Sequence, residues 1–431
     1  MSFAAVTALE QYHDSAPAPS WLSAIRSRAA ERFDSSVWPS TSEEEWRRSS
    51  VRTIPFEDYQ VAESETALPP VEAPADAAAQ IVVVNGECVS YRLSQGIAEK
   101  GVVVGPASQV VEAGSILENT IVTMLRTFVD QADNRLQHWQ TALLRDVVVV
   151  HVPAGAELTR PIVVDMIGAG DEVVVSAFLV VSLGAGAHAT VIRRTRGGES
   201  GDVLFLEGTA VSLSDNSSLH LTDIQTVDSE ALYFAHGACT AGRDARLHRT
   251  EMHLGGDFVK TRFVTELSGP GSDAHLNGCY CGAEEQHIDI RTVQLHLAPK
   301  STSRAYYKGA VRDEAHSVYQ GLIQVDAAAK GTDAYLTNKN LVLSDTARAD
   351  SIPSLKISTD DVRCSHGSTT GRLDEDQVFY LRSRGWSEAE ARRTLIEGFF
   401  DDLIGDAPES VRDEARFRLS DRLFGEGAEH D

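Results

Sequence analysis

Basic side chains are scarce in this chain: 39 Lys and Arg stand against 63 Asp and Glu, a formal net charge of −24. Proteins that grip a phosphate backbone draw most of their affinity from Lys and Arg, and anionic lipid surfaces recruit the same residues. The balance therefore argues against nucleic acid and against a membrane as partners, and reads as a solvated acidic surface. Long apolar runs are missing too, since none approaches the roughly 20 residues of a membrane helix. The opening Met1-Ser-Phe-Ala-Ala-Val6 has no basic stretch leading into an apolar core, so no secretory signal is read there. The five cysteines (Cys88, Cys239, Cys279, Cys281, Cys364) are few, odd in number and scattered, which does not make a disulfide framework. A reducing cytoplasm is the expected compartment. The chain also lacks a Gly-x-x-x-x-Gly-Lys-Ser/Thr phosphate loop and a Gly-x-Ser-x-Gly elbow. Neither ATP hydrolysis of its own nor serine-hydrolase chemistry is expected. The acid pairs Asp360-Asp361 and Asp401-Asp402 read as solvated or capping groups.

What is present divides the 431 residues into three parts. Residues 1–79 read as a helical region and linker. Trp21, Leu22, Ile25, Ala29 and Phe33 recur at helical spacing, with Ser20 placed to cap. Thr41-Ser-Glu-Glu44 matches a capping box. Residues 61–79, rich in Pro, Ala and acid, have linker composition.

Residues 80–360 read as β. Short β-branched runs recur, such as Ile81–Val84, Val147–Val150 and Val173–Ser182. One helical insert interrupts them near 118–145, with Phe128, Ala132, Leu136, Trp139 and Leu143 on one stripe. A Gly/Asp/Ser cluster followed by alternation repeats from 184, 215, 242 and 271. An interval of roughly 30 residues suggests a stacked solenoid. Strands fill each unit, so a parallel β-helix is the leading architecture. A sandwich should show more tight hairpins than Asn85-Gly86 and Asn277-Gly278 supply.

Residues 361–431 read as a helical domain. Asp374 with Gln377, and Ser387-Glu-Ala-Glu390, have capping-box spacing, and Gly385 is a plausible stop. Leu395, Ile396, Phe399, Phe400, Leu403 and Ile404 follow at helical spacing. A third helix, about 408–424, carries Val411, Ala415, Leu419 and Leu423.

At the junction of the β and helical parts stand Cys364 and His366. On an extended segment, residues i and i+2 share a face, so both could reach one iron or zinc, which accept both ligand types. Two ligands do not fill a site that usually wants about four, so another surface would have to finish it. On spacing alone they serve equally as a buried thiol and a bonded histidine closing the last coil. His275, Cys279 and Cys281 with His287 have metal-site composition but no trusted spacing. His248, His253, His296 and His316 read as strand residues with satisfied bonds. Phe379, Tyr380, Phe399 and Phe400 suit a small helical core or, on one face, a groove-docking helix.

These residues carry a family resemblance. Cys364-Ser-His-Gly367, Gly371-Arg-Leu-Asp-Glu375 and Phe379-Tyr-Leu-Arg-Ser-Arg-Gly385 resemble the SufB/SufD family of iron–sulfur assembly scaffolds. Tyr307-Lys-Gly309, Ser317-Val-Tyr-Gln-Gly321, Thr332-Asp-Ala334, Asn338-Lys-Asn-Leu341 and Glu43-Glu-Glu-Trp-Arg47 do the same. Ser365-His-Gly-Ser368, where SufB-like chains read Glu-His-Glu-Ala, places it on the SufD side. The resemblance implies a right-handed parallel β-helix flanked by N-terminal and C-terminal α-helical domains. It implies a non-enzymatic scaffold pairing through its β-helix with a SufB-like subunit and binding a SufC-like ATPase through its C-terminal region. A transient iron–sulfur cluster or iron would form at the partner interface, with His366 taking part and Cys364 beside it. Phe379, Tyr380, Phe399 and Phe400 are the expected partner-binding residues. A homodimer of the isolated chain stays open, as do a SufB-like scaffold role and, by fold analogy, polysaccharide chemistry.

Overall fold

The computed structural model describes residues 18–62, 71, 76–197 and 201–425. Most of the expected linker, and the extreme N-terminus searched for a signal, lie outside the described residues. Among the described residues no helix is long and apolar enough to cross a membrane.

The β-branched runs form strands that stack coil on coil in parallel register. Sheet one carries, in order, Val148–Val152, Val173–Leu183, Val203–Leu213, Leu232–Ala241, Phe258–Leu267, His287–His296, His316–Val325 and Arg348–Ile357. Sheet two carries Ile162–Gly168, His188–Gly197, Ser218–Thr226, Arg246–His253, Asp273–Gly282, Thr302–Val311, Thr332–Val342 and Val362–Gly371. The two sheets alternate along the chain, which makes eight coils of a parallel β-solenoid.

The repeated turn has a backbone cause. At this corner one residue per coil takes the left-handed conformation: Gly155, Gly186, Asn216, Asp244, Gly271, Lys300 and Gly331. Gly, Asn and Asp bear that geometry at least cost. Each donates its amide into the corner of the next coil, as Gly186 does to Asp215 and Asn216 to Arg243. The corners are thus stitched in a ladder with the period seen in the sequence.

Alternation along each strand sorts side chains into a lumen face and an outer face. Val191, Leu221, Leu276, Ala305 and Leu336 share one lumen column, which Arg249 interrupts. Each fully buried Leu or Val contributes about 1.5–3 kcal/mol by leaving water.

Both outer faces are covered by helices. Sheet one is covered by α1 (Ser20–Ser35), α2 (Ile116–Gln131) and α3 (Arg135–Ala142), through Leu22, Ile25, Phe33, Leu125 and Trp139. The expected single stripe of the insert is broken: α2 ends at Gln131 and Asn134 caps α3 by accepting from the Gln137 amide. Sheet two is covered by α5 (Glu388–Asp406) and α6 (Glu409–Phe424), through Ile396, Phe400, Leu403, Val411 and Leu419. A shorter helix, α4 (Glu375–Ser383), precedes them. Ser387 and Glu390 form the full capping box, and Gly385 takes a positive φ just after α4. Asp374 caps α4 through the Asp376 amide, without the capping box expected with Gln377, and two further caps differ from expectation. Pro19, not Ser20, stands at the N-cap of α1, and Thr41–Glu44 leads into a single 3-10 turn, Glu44–Trp46.

The two ends of the stack differ. At the first coil, Glu87–Leu93 pairs antiparallel with Ala79–Val84 across a bulge, and Val103–Pro106 pairs antiparallel with Val148–Val152. Short strands, a proline and a bulge blunt an edge against further pairing. At the last coil, Arg348–Ile357 and Val362–Gly371 each pair on one side only. The boundary expected at 361 therefore falls later, because the Cys364–His366 segment is the final strand of the solenoid.

Candidate functional site

The last coil sets the geometry of the site. Cys364 pairs in register with Ala334, and His366 with Leu336. Ala334 and Leu336 are fully buried in the lumen cluster, and Cys364 packs against that cluster. Parallel register thus places Cys364 and His366 together over the mouth of the lumen. Burial raises the Cys364 thiol pKa. His366 is exposed, and its ring makes no hydrogen bond or ion pair among the described residues. Facing them across the mouth, Leu355 and Ile357 stay exposed on the partner-less edge of sheet one. Among the described residues no three His, Cys, Asp or Glu side chains converge on one point. The pair thus brings two side chains of ligand type to an edge that is unpaired on its outer side.

Behind the mouth the lumen holds charges that alternation alone did not reveal. Arg193 pairs with Asp223 at 2.9 Å and Glu207 at 3.4 Å. Arg249 pairs with Asp223 at 2.9 Å and Glu251 at 3.0 Å. Glu251 also meets His253 at 3.0 Å and accepts from the Tyr307 hydroxyl. Burial pushes the Glu251 pKa up, but the Arg249 charge and the bonds from His253 and Tyr307 outweigh it and hold the carboxyl well below its usual range. The signal was present in the sequence: Arg249, Glu251 and His253 share the phase of the inward Leu247.

The second cysteine cluster does not assemble. Cys279 and Cys281 face outward and are sealed beneath α5 and α6. Burial pushes the Cys279 thiol up to about 12 and holds Cys281 well above the usual thiol range. His275 stays near the surface beside Asp273, while His287 lies on sheet one, bonded to Ser49 at 2.9 Å. Among the other strand histidines, His296 is satisfied by Ser301 and Ser303, each at 2.7 Å, and His316 by Asp350 at 3.1 Å.

The helical domain separates the four aromatics. Phe379 and Tyr380 are 72% and 56% exposed on α4. Phe400 is fully buried between α5 and sheet two, and Phe399 packs partly against the same cluster. As the chain stands, only the first two offer a surface. Lys308 latches this domain to the solenoid, donating to Asp402 at 2.6 Å and to the Phe399 carbonyl.

The Glu43–Arg47 segment is a strap across sheet one. Trp46 stacks on Phe234, and the Glu45 carbonyl accepts from Lys260 at 2.9 Å and Gln320 at 3.0 Å. The Glu45 carboxylate faces Arg262 and Arg291, and Arg48 reaches Asp350 on the last coil.

A stack of parallel coils, clad by helices on its outer faces and unpaired at its last coil, with a cysteine and a histidine on that last strand, defines a parallel β-solenoid protein. Comparison with known proteins names the group. Residues 166–399 match the family model "SUF system FeS cluster assembly, SufBD core domain", and residues 10–164 match "SufBD protein N-terminal region". The chain belongs to the SufBD family. It is 34% identical over 264 residues to an iron–sulfur cluster assembly SufBD family protein of Mycobacterium tuberculosis, spanning 59% of this chain and 66% of that one. It is 32% identical over 283 residues to the iron–sulfur cluster assembly protein SufD of Escherichia coli, spanning 64% and 66%. SufD of Bacillus subtilis is 24% identical over 413 residues, 93% of each chain. The alignments to the mycobacterial and Escherichia coli relatives thus cover just under two thirds of those proteins.

Proposed function

We propose that this chain is a non-catalytic scaffold subunit of iron–sulfur cluster assembly. Its open coil pairs with the matching coil of a SufB-like subunit, and α4 presents Phe379 and Tyr380 to a SufC-like ATPase. His366, with Cys364 beside it, donates to iron or a nascent cluster as cargo at the shared surface. One observation carries the reading. An exposed imidazole and a half-buried thiol share the lumen mouth on a strand whose far edge is unpaired. Exposed edges recruit strands, and a joined partner edge would supply the ligands this chain lacks. Of the five cysteines, only Cys239 joins Cys364 in packing on the main lumen cluster beyond the first coils. That speaks against a SufB-like role, which calls for a larger thiol set inside the solenoid.

The test is His366→Ala in the anaerobically reconstituted complex, reading acid-labile sulfide and iron. An exposed substitution shifts stability by about 0.5 kcal/mol or less, so complex formation should persist while cluster yield falls at least tenfold. Full cluster assembly by the variant refutes the role. The ATPase contact is tested by Phe379→Ser. Truncating the helical domain would strip the cover from Met252, Cys279 and Cys281, whereas this substitution leaves the cover in place. A docked aromatic anchor is worth about 2 kcal/mol or more, so affinity for the ATPase should fall about thirtyfold with the SufB-like contact intact. Unchanged affinity removes α4 from the interface.

A further inference from the structure

The outer face of sheet two carries a column the assembly role does not use. His220, His248 and His275 are register partners on consecutive coils. Their ring centroids are 4.9 and 5.9 Å apart, with planes 13° and 10° from parallel. Asp406, the last residue of α5, stands over the column. Its carboxylate accepts from Asn277 Nδ2 at 2.8 Å, and the same Nδ2 lies 3.4 Å from His248 Nε2. An amide hydrogen donor thus stands between an imidazole nitrogen and a carboxylate, the position a cation would take. The carbonyl end of α5 adds negative potential at that point.

We propose that His248, His220 and Asp406, with Asn277 or His275 completing the set, form a binding site for a divalent late first-row transition ion. Imidazole and carboxylate suit such ions. Two ligands on one tetrahedral ion stand about 3.3 Å apart for bonds of about 2.0–2.1 Å, so the stacked rings must rotate to close. In the present arrangement no three such groups converge among the described residues, and ion binding is what would draw them in. Burial lowers the pKa of His220 and His248, while Asp406 acts electrostatically on both and on His275. Burial thus favours the neutral, ligating form of His220 and His248, whereas the hydrogen bond to Asp273 raises the pKa of His275. The site lies on the opposite face of the sheet from the lumen mouth, so it is separate from the Cys364–His366 pair.

The experiment titrates untagged, metal-stripped full-length protein with Zn²⁺ against a chromophoric chelator, and follows Co²⁺ binding by its visible absorption. One equivalent should bind with micromolar affinity or better. His248→Gln and the more exposed His220→Gln should each weaken binding at least tenfold, with circular dichroism confirming the fold. The Cys364→Ser/His366→Ala double variant should bind as wild type does. Absence of binding by the wild-type chain, or binding that survives both His→Gln substitutions, overturns the proposal.

Discussion

Replacing Glu251 tests how far the buried ionic network of the lumen holds the fold. Its side chain is 1% exposed, and it meets Arg249 and His253 at 3.0 Å each and the Tyr307 hydroxyl. Removing one member of a buried pair costs about 3–5 kcal/mol, because the remaining charge stays buried. Arg249 keeps Asp223, so the lower end of that range applies to Glu251→Gln, about 3 kcal/mol. Native stabilities are about 5–15 kcal/mol, so Glu251→Ala, which also orphans Tyr307 and His253, is the harsher variant and risks losing the fold. The assay is urea unfolding followed by tryptophan fluorescence. The control is Asp401→Ala, whose Arg416 partner pair is 50% and 66% exposed and worth about 0–1 kcal/mol. The pH dependence has a definite sign. The folded Glu251 pKa lies below its unfolded value, so its contribution is complete above the usual glutamate pKa of about 4.3 and is lost as pH falls below it. The gap between wild type and Glu251→Gln should therefore be full at pH 7 and shrink on acidification. A Glu251→Gln midpoint no lower than that of Asp401→Ala would refute the reasoning.

Two further outcomes follow from burial. Cys239, Cys279 and Cys281 are 0–1% exposed with raised thiol pKa values. An aromatic disulfide reagent at pH 7.5 should therefore label no more than Cys88 and Cys364 until the chain is unfolded, and rapid labelling of a third thiol would contradict the packing. Lys308→Met should release the latch to Asp402 and the Phe399 carbonyl, at a cost of about 1–3 kcal/mol for charge-assisted bonds. Amide exchange should accelerate in α5 ahead of the solenoid strands, and uniform exchange would show that the latch does not fix the helices.

The solenoid was legible because its corners repeat. Gly184-Ala-Gly, Asp215-Asn and Gly242-Arg-Asp mark left-handed residues that backbone geometry requires once per coil. The Ser387–Glu390 cap and the Val411–Leu423 stripe were legible for the same reason, since local chemistry alone determines them. Properties set by the far side of a sheet were hidden. Cys279 and Cys281 fit a lumen as well as an outer face, and only the docked α5 and α6 decide between them. Phe379 and Phe400 look alike in sequence, yet one is exposed and the other sealed. The last strand, Val362–Gly371, was read as a junction because it lacks β-branched runs. Its polar character belongs to an edge that water still reaches. The candidate pair was found by residue type and spacing, while its place over the lumen needed the register with Ala334 and Leu336.

The unequal ends of the stack limit how many chains can join. A rod with two sticky tips would grow without bound, and a rod with none would stay solitary. Among the described residues, Pro106 and the bulge beside Glu87–Leu93 blunt one tip and leave the last coil as the plainer edge, which on the proposed pairing gives a valence of one along the axis. End-to-end joining through the last coil would then close at a pair and form no filament. If the proposed junction forms, its chemistry would occur once per rod, in a chamber with one wall from each chain.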